Sequence, residues 1–135
     1  MKKVFFQGSF DLINHGHVYA FRDAKKQGDY LIVGLNSDEL VKDFKERDVI
    51  LPFWQRKIIL EGIKYIDEVV KMDNFSPLKH LKDIDVYVIY QEWLPTKTEE
   101  IAYMQSKGGK IFVTPEYEGV THSSEIRRKC REVNK

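Results

Sequence analysis

Near its start the chain runs Val4-Phe5-Phe6-Gln7-Gly8-Ser9-Phe10-Asp11-Leu12-Ile13-Asn14-His15-Gly16-His17: an apolar run, a glycine turn, then residues suited to opening a helix. Gly8 permits close approach of backbone to a ligand, and a helix starting near Gly16 and His17 offers unpaired N–H groups and a positive dipole end to an anion. The chemistry this favours is the holding of phosphate. The same glycine serves in purely structural turns of α/β proteins; Asn14 and the two histidines beside the turn favour the phosphate reading. Near the other end Thr121, Ser123 and Ser124 precede a helical pattern. Their hydroxyls and amides serve either as helix caps or as phosphate ligands.

The elements needed to position these residues are legible as an alternation. Short apolar runs at 4–6, 30–35, 68–71, 86–90 and 111–113 have strand character, and helical spacing occupies 16–27, 53–65, 76–82, 97–107 and 122–133. Gly28, Gly108 and Gly109 stand where helices should stop. The pattern predicts an α/β fold: a single Rossmann-like, doubly wound, mainly parallel five-stranded sheet with helices on both faces. Lys42 to Pro52, rich in charge, is expected to be a mobile loop at the strand carboxyl ends, where such sheets place ligands.

Length and composition fit one domain over 1–135: 42% of the 135 residues are hydrophobic, with no repeat and no Gly/Ser linker. With 22 basic and 21 acidic residues the net charge is +1, so the balance gives no reason to expect nucleic acid, and the expected partners are small molecules. The single cysteine, Cys130, forbids an intrachain disulfide and suits a reducing, cytoplasmic setting. No signal-peptide pattern and no apolar run of about 20 residues is present, so membrane insertion is not expected. No G-x-x-x-x-G-K-S/T loop occurs, no cysteine pair suits zinc, and His15 with His17 lacks the i, i+4 spacing of a helical metal site, so no protein-held metal is expected.

Three ordered blocks resemble the small cytidylyltransferases. Gly8-Ser9-Phe10-Asp11 followed by Asn14-His15-Gly16-His17 is similar to that family's G-S/T-F-D and H-x-G-H; the stretch from Gln55 to Val69 resembles R-K-x-I-L-E-x-I-R-Y-V-D-E-V; Glu118 to Ile126 resembles E-G-I-S-T-T-x-I. The resemblance implies nucleotidyl transfer: a phosphate oxygen of a small phosphorylated alcohol such as glycerol 3-phosphate attacks the α-phosphate of CTP, and pyrophosphate leaves with Mg²⁺ as cofactor. It also implies a homodimer paired around Lys64 to Val69. An ATP-using adenylyltransferase and a nucleotide-binding protein without turnover are the alternatives.

Carried over by position, the resemblance implies catalytic roles for His17, Asn14, Lys45 and Arg47. It implies nucleotide contacts from Gly8, Ser9, Phe10, Asn14, Gly16, His17, Arg47, Glu118, Gly119, Val120, Thr121, Ser123 and Ser124, and acceptor contacts from Asp11, Lys45, Arg56, Lys64, Lys79 and Trp93. Lys45 and Arg47 fall at two family lysines if one residue is inserted; solvated charges in a loop are the plain alternative. Several positions depart from the pattern. Asn14 replaces the first histidine, and an amide can donate but cannot become cationic. Lys64 replaces an arginine and lacks its planar fork. Glu116-Tyr117 stand where the family has arginine-threonine. Tyr90 replaces a glycine in Tyr90-Gln91-Glu92-Trp93, which makes that strand end the place where base or acceptor preference is expected to differ; covering the core is the plain alternative for its aromatics.

Overall fold

The computed structural model describes residues 1–45, 48–117 and 119, the side chain of Lys45 excepted. Short runs rich in β-branched and aromatic residues form five strands: β1 Lys3–Gly8, β2 Tyr30–Asn36, β3 Glu68–Met72, β4 Val86–Tyr90 and β5 Lys110–Thr114. Their order is β3-β2-β1-β4-β5 and every pairing is parallel, so the expected mainly parallel sheet is parallel throughout. After β3 the chain crosses to the far side of β1, which makes the carboxyl ends of β1 and β4 the switch point where such sheets open a crevice.

Alternation along the strands divides the apolar residues between two layers. Val4, Phe6, Leu31, Val33, Leu35, Val86 and Val88 face α1 (His15–Lys25) and α3 (Phe53–Glu61), which contribute Ala20, Phe21, Ala24 and Leu60. Phe5, Tyr87 and Ile89 face the other way, against Leu40 of α2 (Asp38–Lys45), Leu81 of a 3-10 turn at Leu78–Asp83 and Met104 of α4 (Thr98–Ser106). A second 3-10 turn, Gln91–Thr96, follows β4.

Three expectations about the elements need correction, and one element was not foreseen. The stretch beginning at Lys42 is not all loop, because α2 runs through Lys45. That helix starts at a cap, the Ser37 hydroxyl accepting from Leu40 N at 3.1 Å, and buries Leu40 and Val41. The helix expected over 53–65 stops at Glu61, where Gly62 donates to Ile58 and Ile59 carbonyls. The expected helix at 76–82 is a 3-10 turn, and the 3-10 turn at 91–96 had no counterpart in the sequence pattern. The helical pattern at 122–133 lies outside the described residues.

Asp67, in the second motif block, stitches this framework. Its Oδ2 accepts from Leu31 N at 2.7 Å and from Lys25 Nζ at 2.6 Å, and its own N–H returns to the Leu31 carbonyl. Burial opposes ionisation, but these two donors outweigh it and hold the carboxyl below its ordinary 3.8. A depressed carboxylate stabilises the fold above its unfolded pKa, and that share is lost as pH falls through the folded value. Asp67→Asn should therefore lower stability near about pH 7, with the gap from wild type narrowing in paired urea melts only as pH falls below the ordinary carboxylate value.

Gly34, in the middle of β2, is fixed by packing: an added Cβ would lie 2.7 Å from Phe5 Cζ and 2.9 Å from Met72 Cγ. Gly34→Ala is expected to cost about 1–3 kcal/mol through overpacking, read as a lower urea midpoint with an unchanged slope.

Candidate active site

The first motif block wraps the carboxyl end of β1. Asn14 caps α1: its Oδ1 accepts from Gly16 N at 2.9 Å and His17 N at 3.3 Å. His17 completes the capping box, Nδ1 accepting from Asn14 N at 3.0 Å. Acceptance at Nδ1 places the neutral ring's proton on Nε2, so His17 is a donor through Nε2 at a helix N-terminus. Edge-on contact with Phe10, at 5.8 Å between centroids, fixes the ring plane.

Phe10 is a wedge. It has φ 46°, in the left-handed region unfavourable to bulky residues, yet it is buried. Its ring packs on Phe6 and Phe21 at 5.6 and 4.9 Å, and it fills the space a Gly8 Cβ would need, 2.6 Å from Phe10 Cζ. The missing side chain at position 8 therefore accommodates the wedge inside the protein. Gly16 is buried at the helix start.

Beneath the turn lies Arg56, with no exposed surface. Its Nε donates to the Leu51 carbonyl, NH1 to the carbonyls of Ser9 and Asn36, each at 2.8 Å, and NH2 to Asp38 at 2.6 Å. Asp11 acts in the complementary sense, its carboxylate accepting from Ile50 N at 2.9 Å and Leu51 N at 2.8 Å. The structure thus places both residues as clamps on the loops around the crevice. Ser9 belongs to the same fabric, its hydroxyl accepting from Asn36 Nδ2 at 3.1 Å.

Trp93 lies on the opposite layer, edge-on to Phe75 at 5.6 Å and Phe44 at 6.3 Å. Beside it the buried Lys97 donates to the Phe75 carbonyl at 2.7 Å and lies 3.6 Å from the ring centroid; burial pulls its pKa down, and Glu100 opposes this. Tyr90, next to the switch point, packs on Phe6 at 5.1 Å, and burial pushes its hydroxyl pKa up. Lys64 is not brought to the crevice. It is exposed in the turn before β3, at the amino ends of the strands, with Nζ 5.1 Å from the Tyr65 ring. Lys79 is exposed on the 3-10 turn before β4.

Beyond β5 the chain returns to α1. The Tyr117 hydroxyl donates to Asp23 at 2.6 Å, and its ring lies 5.8 Å from that of Tyr19. Burial works against the Asp23 carboxylate, but donors from Tyr117 and Arg22 hold its pKa down. Gly119 follows with φ 71°, and a Cβ there would lie 3.8 Å from His15 Nε2. The third block therefore begins beside the first, and His15 faces that junction. The Lys45 side chain, Arg47, Glu118, Val120, Thr121, Ser123 and Ser124 lie outside the described residues. Among the described residues no group of three His, Cys, Asp or Glu could hold a metal ion, and no helix is long and apolar enough to cross a membrane.

Sequence reasoning passed over Gln7, Asn36 and Asp38, and noted Tyr117 only as a departure from the family pattern, without a partner. Ser37-Asp38-Glu39 directly after an apolar strand was an available signal, since a cap residue followed by acids marks a helix start at a strand's carboxyl end.

A parallel sheet with a capped helix and an oriented histidine donor at its switch point defines a Rossmann-like protein of the phosphate-binding, nucleotide-handling class. Residues 5–129 match the model of the family described as cytidylyltransferase-like, and the chain belongs to that family. It is 38% identical over 96 residues to glycerol-3-phosphate cytidylyltransferase of Bacillus subtilis, covering 69% of this chain and 74% of that one. Identity to the protein of the same name from Staphylococcus aureus is 33% over 117 residues, covering 80% and 88%. Among solved structures, the lipopolysaccharide core biosynthesis protein from Thermoplasma volcanium superposes with a TM-score of 0.76 at 20% identity, covering 87% of this chain and 99% of that one; this likeness speaks for the fold.

Two substitutions separate the roles of these residues. Asn14→Ala should cost about 1 kcal/mol of stability, as loss of a helix cap does, whereas Asn14→Ser should recover most of it in thermal melts. Arg56→Met should cost about 3–5 kcal/mol, because it strands Asp38 and three carbonyls, and denaturant unfolding would read that loss directly.

Proposed function

We propose that this chain transfers CMP from CTP to a small phosphorylated alcohol, glycerol 3-phosphate or a close analogue, releasing pyrophosphate. The observation that carries this reading is the oriented His17 donor at the start of α1, within a chain whose motif blocks match cytidylyltransferases over most of its length. An acceptor phosphate oxygen forms a bond to the α-phosphorus as the bond from that phosphorus to the bridging oxygen breaks, and the electron pair leaves with pyrophosphate. The acceptor oxygen is already anionic, so no general base is required. What the protein must supply is alignment and donors for the charge that grows on the phosphoryl group and the leaving oxygen. His17 Nε2 and the positive end of the α1 dipole fill that role, with Lys45, Arg47 and the Thr121, Ser123 and Ser124 hydroxyls as their proposed partners. Mg²⁺ enters as part of the Mg–CTP substrate.

Asn14 is compatible with turnover because its task in this chain is capping, which an amide performs as well as any side chain. With Mg²⁺, the purified protein should release pyrophosphate from CTP in the presence of phosphorylated alcohols, and much more slowly from ATP. His17→Ala should lower kcat by about 10²–10³-fold, with only a small fall in melting temperature from loss of its half of the capping box. Silence with CTP across a panel of phosphorylated alcohols would overturn the reading.

We further infer a homodimer of single-domain chains working in the cytoplasm. Trp54 and Ile58, one turn apart on α3, are each 61% exposed, and Ile59 is 42% exposed. This apolar surface adjoins the Lys64 to Val69 stretch and is of the kind that marks contact sites. Light scattering should give twice the chain mass at micromolar concentration, and Trp54→Glu should shift it toward the monomer.

A further inference from the structure

Among the described residues, two side-chain polar atoms are closed to solvent and have no hydrogen-bond partner: Oε1 of Gln7 and the hydroxyl of Tyr90. They belong to the two strands that flank the switch point, near their carboxyl ends. They face opposite layers, since Gln7 follows the alternation of Phe5 and Tyr90 that of Val88. A tyrosine hydroxyl is one atom on an apolar ring, and packing on Phe6 accounts for the ring. Gln7 has no such account.

The Gln7 amide is held in one orientation. Nε2 donates to Asn36 Oδ1 at 2.8 Å and to the Asn74 carbonyl at 3.1 Å. A backbone carbonyl only accepts, so the end of the amide facing Asn74 is the nitrogen. Asn36 is oriented in turn, its Nδ2 donating to Ser9 Oγ at 3.1 Å. With both amides fixed, Oε1 cannot exchange places with Nε2 to find a donor, and a buried acceptor without one costs about 1–3 kcal/mol. An unsatisfied polar atom held in place at the ligand-binding end of a parallel sheet is an acceptor prepared for a ligand's donor.

We propose that Gln7 Oε1 accepts a hydrogen bond from a free hydroxyl of the phosphorylated acceptor, so that Gln7 selects polyol phosphates over phosphomonoesters lacking that hydroxyl. The proposal rests on the transfer reaction given under Proposed function. A hydroxyl suits this atom better than an ammonium group, because Asn36, Asn74 and Ser9 are neutral and a buried cation would need a carboxylate. Since Oε1 is closed to solvent before the ligand arrives, the acceptor reaches it by displacing a neighbour. The segment carrying Asn74 and Phe75, packed edge-on against Trp93, is adjacent to the amide. Gln7 acts here on the acceptor alone, apart from the His17 donor.

The test is calorimetry of acceptor binding to CTP-loaded protein without divalent metal, so that no turnover intervenes. The wild type should bind glycerol 3-phosphate about 10–100-fold more tightly than propyl phosphate, which lacks both hydroxyls, and more tightly than phosphoethanolamine. Gln7→Met should bind glycerol 3-phosphate and propyl phosphate alike, with CTP affinity unchanged. Equal binding of the two phosphates by the wild type overturns the proposal without any variant having to fold, and so does a Gln7→Met protein that still prefers glycerol 3-phosphate. Phosphoethanolamine binding as tightly as glycerol 3-phosphate overturns the assignment of a hydroxyl. A hydroxyl preference without pyrophosphate release once Mg²⁺ is added sinks the transfer reading and leaves Gln7's role standing; release without the preference does the reverse.

Discussion

The carboxyl edge of the sheet depends on a buried guanidinium. Arg56 has no exposed surface, and removing such a charge from water costs several kcal/mol unless its donors are met. They are met by three carbonyls from separate stretches of chain and by the Asp38 carboxylate. The loop after β1, the end of β2, the start of α2 and the approach to α3 consequently share one anchor. Asp11 grips the last of these from the other side, so the Leu51 residue is held through its N–H by a carboxylate and through its carbonyl by a guanidinium. A site that must align two phosphates benefits from loops fixed this way, because alignment lost to loop motion is barrier regained.

The sheet was open to reading because its strands are buried on both faces and so appear as continuous apolar runs, and the observed strands differ from those expected by a residue or two at their ends. Helix α2 was hidden by its charge. Lys42 and Asp43 are on the exposed side of an amphipathic helix, and the described stripe that buries it is Leu40, Val41 and Phe44. The two 3-10 turns were illegible for a different reason: six residues are too few to show a period, and Pro95 lies inside the second.

Residue type in the site was more legible than residue task. Arg56 and Asp11 were picked out as charges near a phosphate, yet Arg56 holds three backbone carbonyls and the Asp38 carboxylate, and Asp11 accepts from two backbone amides. Spacing in sequence reports that a charge must occupy a given place, and it does so equally for a ligand contact and for a loop clamp. Only the partners tell them apart. Lys64 shows the same limit, since neighbouring Asp67 ties its segment to the amino ends of the strands, far along β2 from the turn that holds His17. Gln7 is the opposite case: an unremarkable amide in a strand, made conspicuous by the bonds its nitrogen makes and its oxygen lacks.

Asn14 gains a positive meaning from this geometry. At the first position of a helix the side chain must accept from free amides, and an asparagine oxygen does so at every pH, while an imidazole accepts only when neutral. The other half of the capping box then sets the chemistry of His17, because protonating Nδ1 would forfeit the bond from Asn14 N. The cap therefore keeps Nδ1 as the acceptor and leaves Nε2 as the nitrogen that donates outward, so the helix start contributes direction. The Asn14 side chain thus decides how α1 begins and its main-chain N–H decides which nitrogen of His17 faces the chemistry, and because that N–H does not depend on the side chain, a motif without its first histidine keeps its geometry.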